Sequence, residues 1–370
     1  MNTVKTCIDP AAVQASVRQW LEKSSAGLAD GRFRFCLAGG MVPCSGQGGL
    51  VATCFGIKVA WQCGIWEDWP LVRREACISF IRCFQDSTGY FRDPWLLTAA
   101  RPGWGEWARA LIGRVPVREL LNRHSAIVRA ETRQAASTLL MVGAFPRYPL
   151  PLEISQPEEV ESFVRRFDWG NPWTAASHLA HALVFLCINY KAFGGPPRYH
   201  EITDRILSFL ESVRDHKSGT WFTRSPSPAI KVNGAMKVLT GLQWLGRQLP
   251  DCRALIDFAL AQPFESDGCG FLNRFYVVAQ SVTGCPPGYR DLQVRALAER
   301  VVEHAGQYYR DDGGFSFYPT RAQTHYYGAR VSNGNNLADL HGTVMLSWAL
   351  ALAYRKLELP GAKVWSVPNA

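Results

Sequence analysis

Residues 76–94 read ACISFIRCFQDSTGYFRDP: an amphipathic helix, then a short polar turn that ends in a glycine followed by aromatic residues. Residues 300–317, RVVEHAGQYYRDDGGFSF, repeat this order. Repetition of one such unit is typical of folds built from a single supersecondary element. The turn glycines of the six copies that we recognise are Gly31, Gly89, Gly170, Gly219, Gly268 and Gly313.

Each copy is followed by a second, mostly apolar segment, such as residues 48–64, GGLVATCFGIKVAWQCG. A helix that is apolar on all sides is buried, whereas one with a single apolar stripe lies at a surface. Six hairpins of this kind predict an all-α fold, an (α/α)6 toroid with inner and outer helix rings, as one domain over residues 1–370. An open solenoid is the structural alternative. The six repeats lie near residues 13–64, 72–143, 158–191, 199–246, 252–284 and 291–355.

The composition limits the possible partners. Apolar residues make up 47% of the chain and charged residues 19%, which is enough for a large core. The net charge of +9 favours anionic partners, but no nucleic-acid motif is present, so we expect no nucleic-acid partner. No apolar stretch is long enough to predict a membrane span. The odd number of cysteines, 11, many of them within apolar helices, favours reduced thiols and a cytoplasmic location.

Three residues in the fifth and sixth repeats have the chemistry of a metal site. Asp267 and Cys269 flank a turn glycine, and His341 lies near the start of the last apolar helix. Thiolate, carboxylate and imidazole ligands suit zinc, and three protein ligands leave a fourth position for a reactant. Neighbouring repeats of a closed ring would bring these turns to one rim. The alternative is a helix-capping Asp, a small buried Cys and a buried His. Asp339 then either orients His341 or caps the helix.

Two of these segments carry a resemblance. DGCGF at residues 267–271 and DLHGTVMLSWALAL at residues 339–352 resemble the zinc-ligand segments of protein prenyltransferase β subunits. The Gly-aromatic turns resemble the repeats that this family shares with squalene-type cyclases. The resemblance implies the α/α toroid of the terpenoid cyclase and protein prenyltransferase superfamily, bound zinc, and possible dependence on a partner subunit. Gly270 stands where that family has an aromatic residue, so the substrate class stays open.

The predicted rim carries other polar side chains. Arg129 and Arg133 are four residues apart, so they share a helix face and form a clamp suited to an anionic group. The long polar segment 320–336 contains His325 and Tyr326, which have acid–base chemistry. Asp168 and Asp339 are further catalytic candidates. The remaining candidates for substrate binding are Glu131, Trp173, His178, His181, Lys231, Asn233, Lys237 and Asn273.

These features favour a zinc-dependent transferase or cyclase that acts on an isoprenoid-like or other largely apolar small molecule bearing an anionic group. A carbohydrate-active enzyme, either a glycoside hydrolase or a uronate lyase, is the alternative, because hydrolysis needs only two suitably spaced carboxylates. A non-catalytic binding scaffold is the third possibility, because one fold serves many functions.

Overall fold

The computed structural model of the chain describes residues 8–29, 31–44, 48–114 and 116–368. Over these residues α-helices are the dominant regular structure and the one sheet is a short hairpin, which confirms the predicted all-α class. The hairpin pairs β1 (His325–Tyr326) with β2 (Ala329–Arg330) in antiparallel register. The helices are α1 (Pro10–Ser25), α2 (Leu50–Gln62), α3 (Leu71–Arg82), α4 (Pro94–Ala99), α5 (Trp104–Leu111), α6 (Val117–Met141), α7 (Val160–Arg165), α8 (Pro172–Phe193), α9 (Tyr199–Ser212), α10 (Pro228–Trp244), α11 (Arg253–Leu260), α12 (Gly268–Ser281), α13 (Asp291–Ala305) and α14 (Leu340–Leu357).

Buried and half-exposed helices alternate along much of the chain. In α2 every residue except Trp61 is buried, whereas in α3 only Cys77 and Ile81 are buried. The same contrast separates α8, α10 and α12 from α9, α11 and α13. All twelve helices predicted from the repeats are present. Two helices, α4 and α5, were not predicted, and α6 begins at Val117 rather than near Glu131.

The chain divides into two compact units. One, here the N-terminal unit, comprises Gln14–Tyr148 and Tyr308–Val344. The other, here the central unit, comprises Met1–Val13, Pro149–Gln307 and Met345–Ala370. The single-domain organisation predicted from the repeats stays a prediction.

The glycine turn predicted from the sequence has a defined backbone geometry. In the turn after α3, Asp86 N donates to Tyr90 O and Gly89 N donates to Asp86 O, each at 3.0 Å. Gly89 has φ 86°, a left-handed conformation that glycine adopts without steric cost. Gly219 and Gly313 adopt the same left-handed conformation in their own turns, with φ 69° and 108°. Gly268 differs, because it is already the first residue of α12.

Helices of the N-terminal unit are joined to these turns by threonine hydroxyls. Helix α2 packs against α3 and α6. Thr132 of α6 accepts a hydrogen bond from Phe91 N, the aromatic residue that follows the first turn, at 3.0 Å. Thr343 of α14 accepts one from Phe315 N in the same way at 3.1 Å. The aromatic residues after these two turns are therefore held against buried helices, Phe91 in the second half of α6 and Phe315 at the first turn of α14.

In the central unit, helix α10 packs between α8 and α12. Two glycines seven residues apart allow its close approach to α8. A Cβ atom on Gly241 would lie 2.6 Å from Leu183 Cδ1, and one on Gly234 would lie 2.8 Å from Pro172 Cβ. The contacts of Gly234 are with the ring and main chain of Pro172, so the lack of a side chain there sets the distance between the helices, whereas the tip of Leu183 can rotate away from Gly241.

Gly342→Ala tests how closely the backbones approach at the start of α14. A Cβ there would lie 2.3 Å from both Phe317 N and Ser316 C, which are main-chain atoms that cannot rotate away. We expect the free energy of unfolding to fall by about 2 kcal/mol or more, as for other overpacked sites. In the matched control, Gly241→Ala, the clash is with the tip of a flexible leucine. A gain in helix propensity of about 1 kcal/mol offsets it. If urea denaturation showed that Gly342→Ala and Gly241→Ala lower the free energy of unfolding equally, this account would be wrong.

Candidate active site

Glu131 is the most unusual ionisable group in the N-terminal unit. It lies on the buried face of α6 with a relative exposure of 1%. Among the described residues, neither carboxyl oxygen has a hydrogen-bond partner. Burial, and then the nearby charge of Asp93, raises the pKa of Glu131 well above its ordinary value of 4.5. Glu131 therefore keeps its proton at pH values where an exposed glutamate has lost it.

Two other weak acids share this environment. Tyr326 on β1 is buried, and burial together with the charge of Glu131 raises its pKa. Cys54 on α2 is fully buried, and burial followed by the charge of Glu131 raises its pKa to about 12. All three groups are thus neutral near neutral pH.

Aromatic rings pack together around Tyr326 and His341. The His341 imidazole lies between the rings of Phe55 and Phe317, with centroid distances of 4.7 Å on both sides. Tyr326 presents its ring edge-on to Phe55 at 5.9 Å and to His341 at 5.8 Å. We refer to Glu131, Cys54, Tyr326, His341, Phe55 and Phe317 together as the Glu131 cluster.

The Asp93 carboxylate accepts hydrogen bonds at the starts of two helices, α2 and α4. Its Oδ2 accepts hydrogen bonds from Gly49 N and Leu50 N at the start of α2, at 2.9 and 3.0 Å. Its Oδ1 accepts from Trp95 N and Leu96 N at the start of α4, at 3.0 and 3.2 Å. One carboxylate therefore caps two helices at once. The same fully buried group raises the pKa of Glu131.

Asp339, predicted as a catalytic residue, accepts hydrogen bonds from backbone amides in the structure, and its catalytic role stays a prediction. It is fully buried, and its carboxylate accepts hydrogen bonds from Phe317 N, Gln323 N and Gly342 N at 2.8 to 3.0 Å. Burial raises its pKa to about 6. The side-chain oxygen of Gln323 lies 2.8 Å from His341 Nδ1. Asp339 thus caps α14 and also fixes the backbone of the residue that orients His341.

Four other residues of this unit that were predicted from the sequence differ in their burial. Strand β1 alternates, so His325 is exposed whereas Tyr326 is buried. Arg129 and Arg133 are half-buried on α6, in the i,i+4 arrangement expected from the sequence. The charge of Arg133 lowers the pKa of Tyr326, against the larger effect of burial. Of these four residues, Tyr326 is a member of the Glu131 cluster, and Arg133 lies close enough to act on it electrostatically.

In the central unit, three predicted residues lie toward the surface. Asp168 is exposed and pairs with Arg224 at 2.9 Å. Trp173 at the start of α8 is 47% exposed. His178 Nε2 lies 3.0 Å from a carboxylate oxygen of Glu153. Exposed pairs of this kind contribute little to stability.

The remaining central residues lie deeper. His181 is buried on α8, and Asn273 donates to Asn233 Oδ1 at 2.7 Å, which links α12 to α10. Lys231 Nζ lies 3.9 Å from the centroid of the Phe222 ring, a cation–π contact. Lys237 is half-buried on α10. The roles predicted for these side chains in substrate binding stay predictions.

The three predicted zinc ligands have other partners or surroundings. Asp267 Oδ1 accepts a hydrogen bond from Gly270 N at 2.9 Å and so caps α12. Burial and the charge of Asp267 raise the pKa of Cys269 to about 12, which disfavours the thiolate. His341 Nδ1 lies against Gln323. Over the described residues, no group of three or more His, Cys, Asp or Glu is placed to hold a metal ion. Zinc binding stays a prediction.

Elemental analysis of the purified protein tests that prediction directly. If Asp267, Cys269 and His341 hold zinc, the wild type should contain about one zinc per chain, as expected for a single site with these ligands. Cys269→Ala and His341→Ala should each remove it. Cys252→Ala, which also deletes a buried thiol of the central unit, is the matched control and should retain it. Zinc-free wild type after zinc-supplemented expression would rule the site out.

Sequence reasoning missed several members of the site. Cys54, Phe55 and Phe317 were interpreted only as parts of apolar or turn segments, and Asp93 was not singled out. The pair Asp93-Pro94 does carry a helix-start signal, because a capping Asp often precedes Pro at the first helical position. Nothing in the local sequence marks Cys54 or Phe55, since buried cysteines and phenylalanines are ordinary core residues.

Comparisons with known proteins indicate neither a family nor an activity for this chain. No protein-family model matches the chain, and no curated protein matches it. A solved structure of a protein from Actinoplanes is similar, with a TM-score of 0.41 and 15% sequence identity over 93% of this chain and 99% of that one. A likeness at this TM-score carries no argument about fold or activity, so function has to be inferred from the chain's own residues.

The pKa of Glu131 predicts a pH dependence of stability. The folded pKa lies above the unfolded value near 4.5, so the folded state holds a proton that the unfolded chain releases. The stabilisation from the neutral form is therefore complete below that pH and is lost as pH rises through the folded pKa. Relative to Glu131→Gln, the wild type should lose up to about 1.4 kcal/mol per pH unit above pH ~4.5.

Urea titrations of both proteins across this pH range measure the difference. Glu119→Gln replaces an exposed carboxyl on the same helix and should parallel the wild type. If Glu131→Gln also parallels the wild type at every pH, the carboxyl is not held neutral in the folded protein.

Proposed function

We propose that this protein is a cyclase-type enzyme in which Glu131 protonates a carbon–carbon double bond of a largely apolar, isoprenoid-like substrate. The observation that carries the proposal is the Glu131 carboxyl itself. It is 1% exposed, and neither of its oxygens has a hydrogen-bond partner among the described residues. A buried polar group without a partner costs free energy, and such groups concentrate at sites where function requires them.

A neutral carboxylic acid in dry surroundings is a strong donor toward a weakly basic carbon. No internal hydrogen bond holds its proton, and in low dielectric the developing charge is balanced by protein groups rather than water. The Glu131 proton moves to one alkene carbon, which leaves a carbocation at the other carbon and a carboxylate on Glu131. A second double bond of the substrate attacks the carbocation and closes a ring. A carbon next to the new cation then returns a proton to the Glu131 carboxylate and a double bond forms, so the product is a cyclic isomer of the substrate.

The neighbouring side chains suit a cationic intermediate. Aromatic rings attract a carbocation as they attract any cation, by about 0.5–2 kcal/mol each, and Phe55 and Phe317 supply two such rings, each with one face stacked on His341. Tyr326 adds a third ring at the edge of the same group. Cys54 and Tyr326 carry raised pKa values, so neither supplies a competing anion near neutral pH.

The same proposal includes the (α/α)6 toroid. It is supported by the presence of all six predicted helix pairs and by the alternation of buried with half-exposed helices. The recurring left-handed turns at Gly89, Gly219 and Gly313 add to this support. A cavity enclosed by buried helices would exclude water from a carbocation, which water would otherwise quench.

The other functions predicted from the sequence have less support in the site. Glycoside hydrolysis requires a second free carboxylate opposite the acid. Asp93, the carboxylate whose charge acts on Glu131, is already bonded to four backbone amides. Zinc-dependent transfer stays an untested prediction, as does dependence on a partner subunit.

Turnover in heavy water tests the proposal. The protein is incubated in D2O with linear isoprenoids of increasing length, each as hydrocarbon, alcohol and diphosphate. Products are analysed by gas chromatography and mass spectrometry. We expect an isomeric product that carries one deuterium, since the proton on Glu131 exchanges with solvent. Glu131→Gln should lower kcat by about 10²–10⁴-fold, the usual contribution of a general acid.

Glu119→Gln, exposed on the same helix, is the control and should turn over at the wild-type rate. A product without deuterium, formed with release of diphosphate, would contradict protonation. If that turnover also needed zinc, it would support the transferase instead.

A further inference from the structure

Helix α5 and the start of α6, both in the N-terminal unit, expose an unusual number of large apolar side chains. Trp104 is 92% exposed, Leu111 84%, Leu121 67% and Ile112 66%, and Val117 is also exposed at 44%. Soluble surfaces carry single apolar residues, whereas several exposed apolar side chains on two helices that pack together are typical of an interaction site. We call these five residues the apolar tip.

Helical spacing places these residues together. Trp104 and Leu111 are seven residues apart, so they share one face of α5, and Ile112 follows directly. Val117 and Leu121 are four apart on the first turns of α6. Ala110 is buried where α5 packs against α6. The apolar face of α5 is therefore turned outward, the reverse of an ordinary surface helix.

An ion pair and a backbone hydrogen bond hold α5 against α6 beneath the apolar tip. Arg123 of α6 donates to Glu106 of α5 through both terminal nitrogens, at 3.0 and 2.6 Å, and also to Ala100 O at 3.3 Å. This bidentate pair lowers the pKa of Glu106 and keeps it charged. The outward face is thus held in place from beneath by an ion pair.

Positive charge surrounds the apolar tip. Residues 101–125 contain five arginines and two glutamates, and Arg123 neutralises Glu106. The exposed arginines are Arg101, Arg109, Arg114 and Arg118. Apolar side chains with a tryptophan and flanking basic residues match the chemistry of a bilayer interface that contains anionic lipids.

We propose that the apolar tip docks on an anionic membrane surface. Trp104 lies at the level of the headgroups, Leu111 and Ile112 enter the boundary with the acyl chains, and the arginines contact lipid phosphates. No helix among the described residues has the length and apolar character to cross a bilayer. Pairing with a second copy is disfavoured, because a two-fold contact would place two arginine-rich surfaces against each other.

Vesicle sedimentation tests the proposal on the full-length protein. We expect binding to vesicles of phosphatidylcholine mixed with phosphatidylserine, weaker binding to phosphatidylcholine alone, and loss of the difference at high salt. Leu111→Glu should reduce binding at least about ten-fold, because it places a charge in the acyl boundary. Arg109→Gln and Arg118→Gln should each reduce binding to the anionic vesicles by about five-fold.

Leu292→Glu is the matched control. Leu292 is a comparably exposed leucine, 80%, on α13 of the central unit, and its replacement should leave binding unchanged. Thermal unfolding confirms that each variant is folded, since exposed substitutions change stability by about 0.5 kcal/mol or less. Failure of the wild type to sediment with either vesicle overturns the proposal. A dimer in sedimentation velocity that Leu111→Glu dissociates, without vesicle binding, would assign the apolar tip to self-association.

Discussion

The N-terminal unit depends on one buried carboxylate, that of Asp93. Four backbone amides, two at the start of α2 and two at the start of α4, donate to its oxygens. Without this group those amides would be buried and unpaired, at about 1–3 kcal/mol for each unsatisfied donor. The charge that satisfies them also disfavours ionisation of Glu131. The group that fixes two helix ends therefore adds to the effect of burial, which is the larger cause of the raised pKa of Glu131.

The sequence predicted the helices well where burial produces a clear pattern. Helix α2 is apolar throughout, and α9 carries one apolar stripe, so both could be recognised. Helix α5 could not, because its large apolar residues face outward and the pattern assumes that such residues are buried. Gly268 was predicted as a turn glycine like Gly89, but the cap from Asp267 starts the helix there instead.

The sequence predicted the candidate site less well than it predicted the helices. The sequence predicts Glu131 as a substrate-binding residue, but its raised pKa arises from burial and then from the charge of Asp93, 38 positions earlier. His325 and Tyr326 are adjacent, and only the formation of a two-residue strand decides which of them is buried. Local propensity contains no information on contacts of this kind, because they arise from packing between distant segments.

The Asp339 carboxylate couples two amides that lie in different parts of the loop before α14. Phe317 N and Gln323 N both donate to its Oδ2. With a pKa of about 6, this acceptor becomes neutral, and so weaker, in mildly acidic solution. Hydrogen exchange at the two amides should then accelerate together rather than independently. Because Gln323 also orients His341, the loop and the imidazole would loosen as one cooperative element.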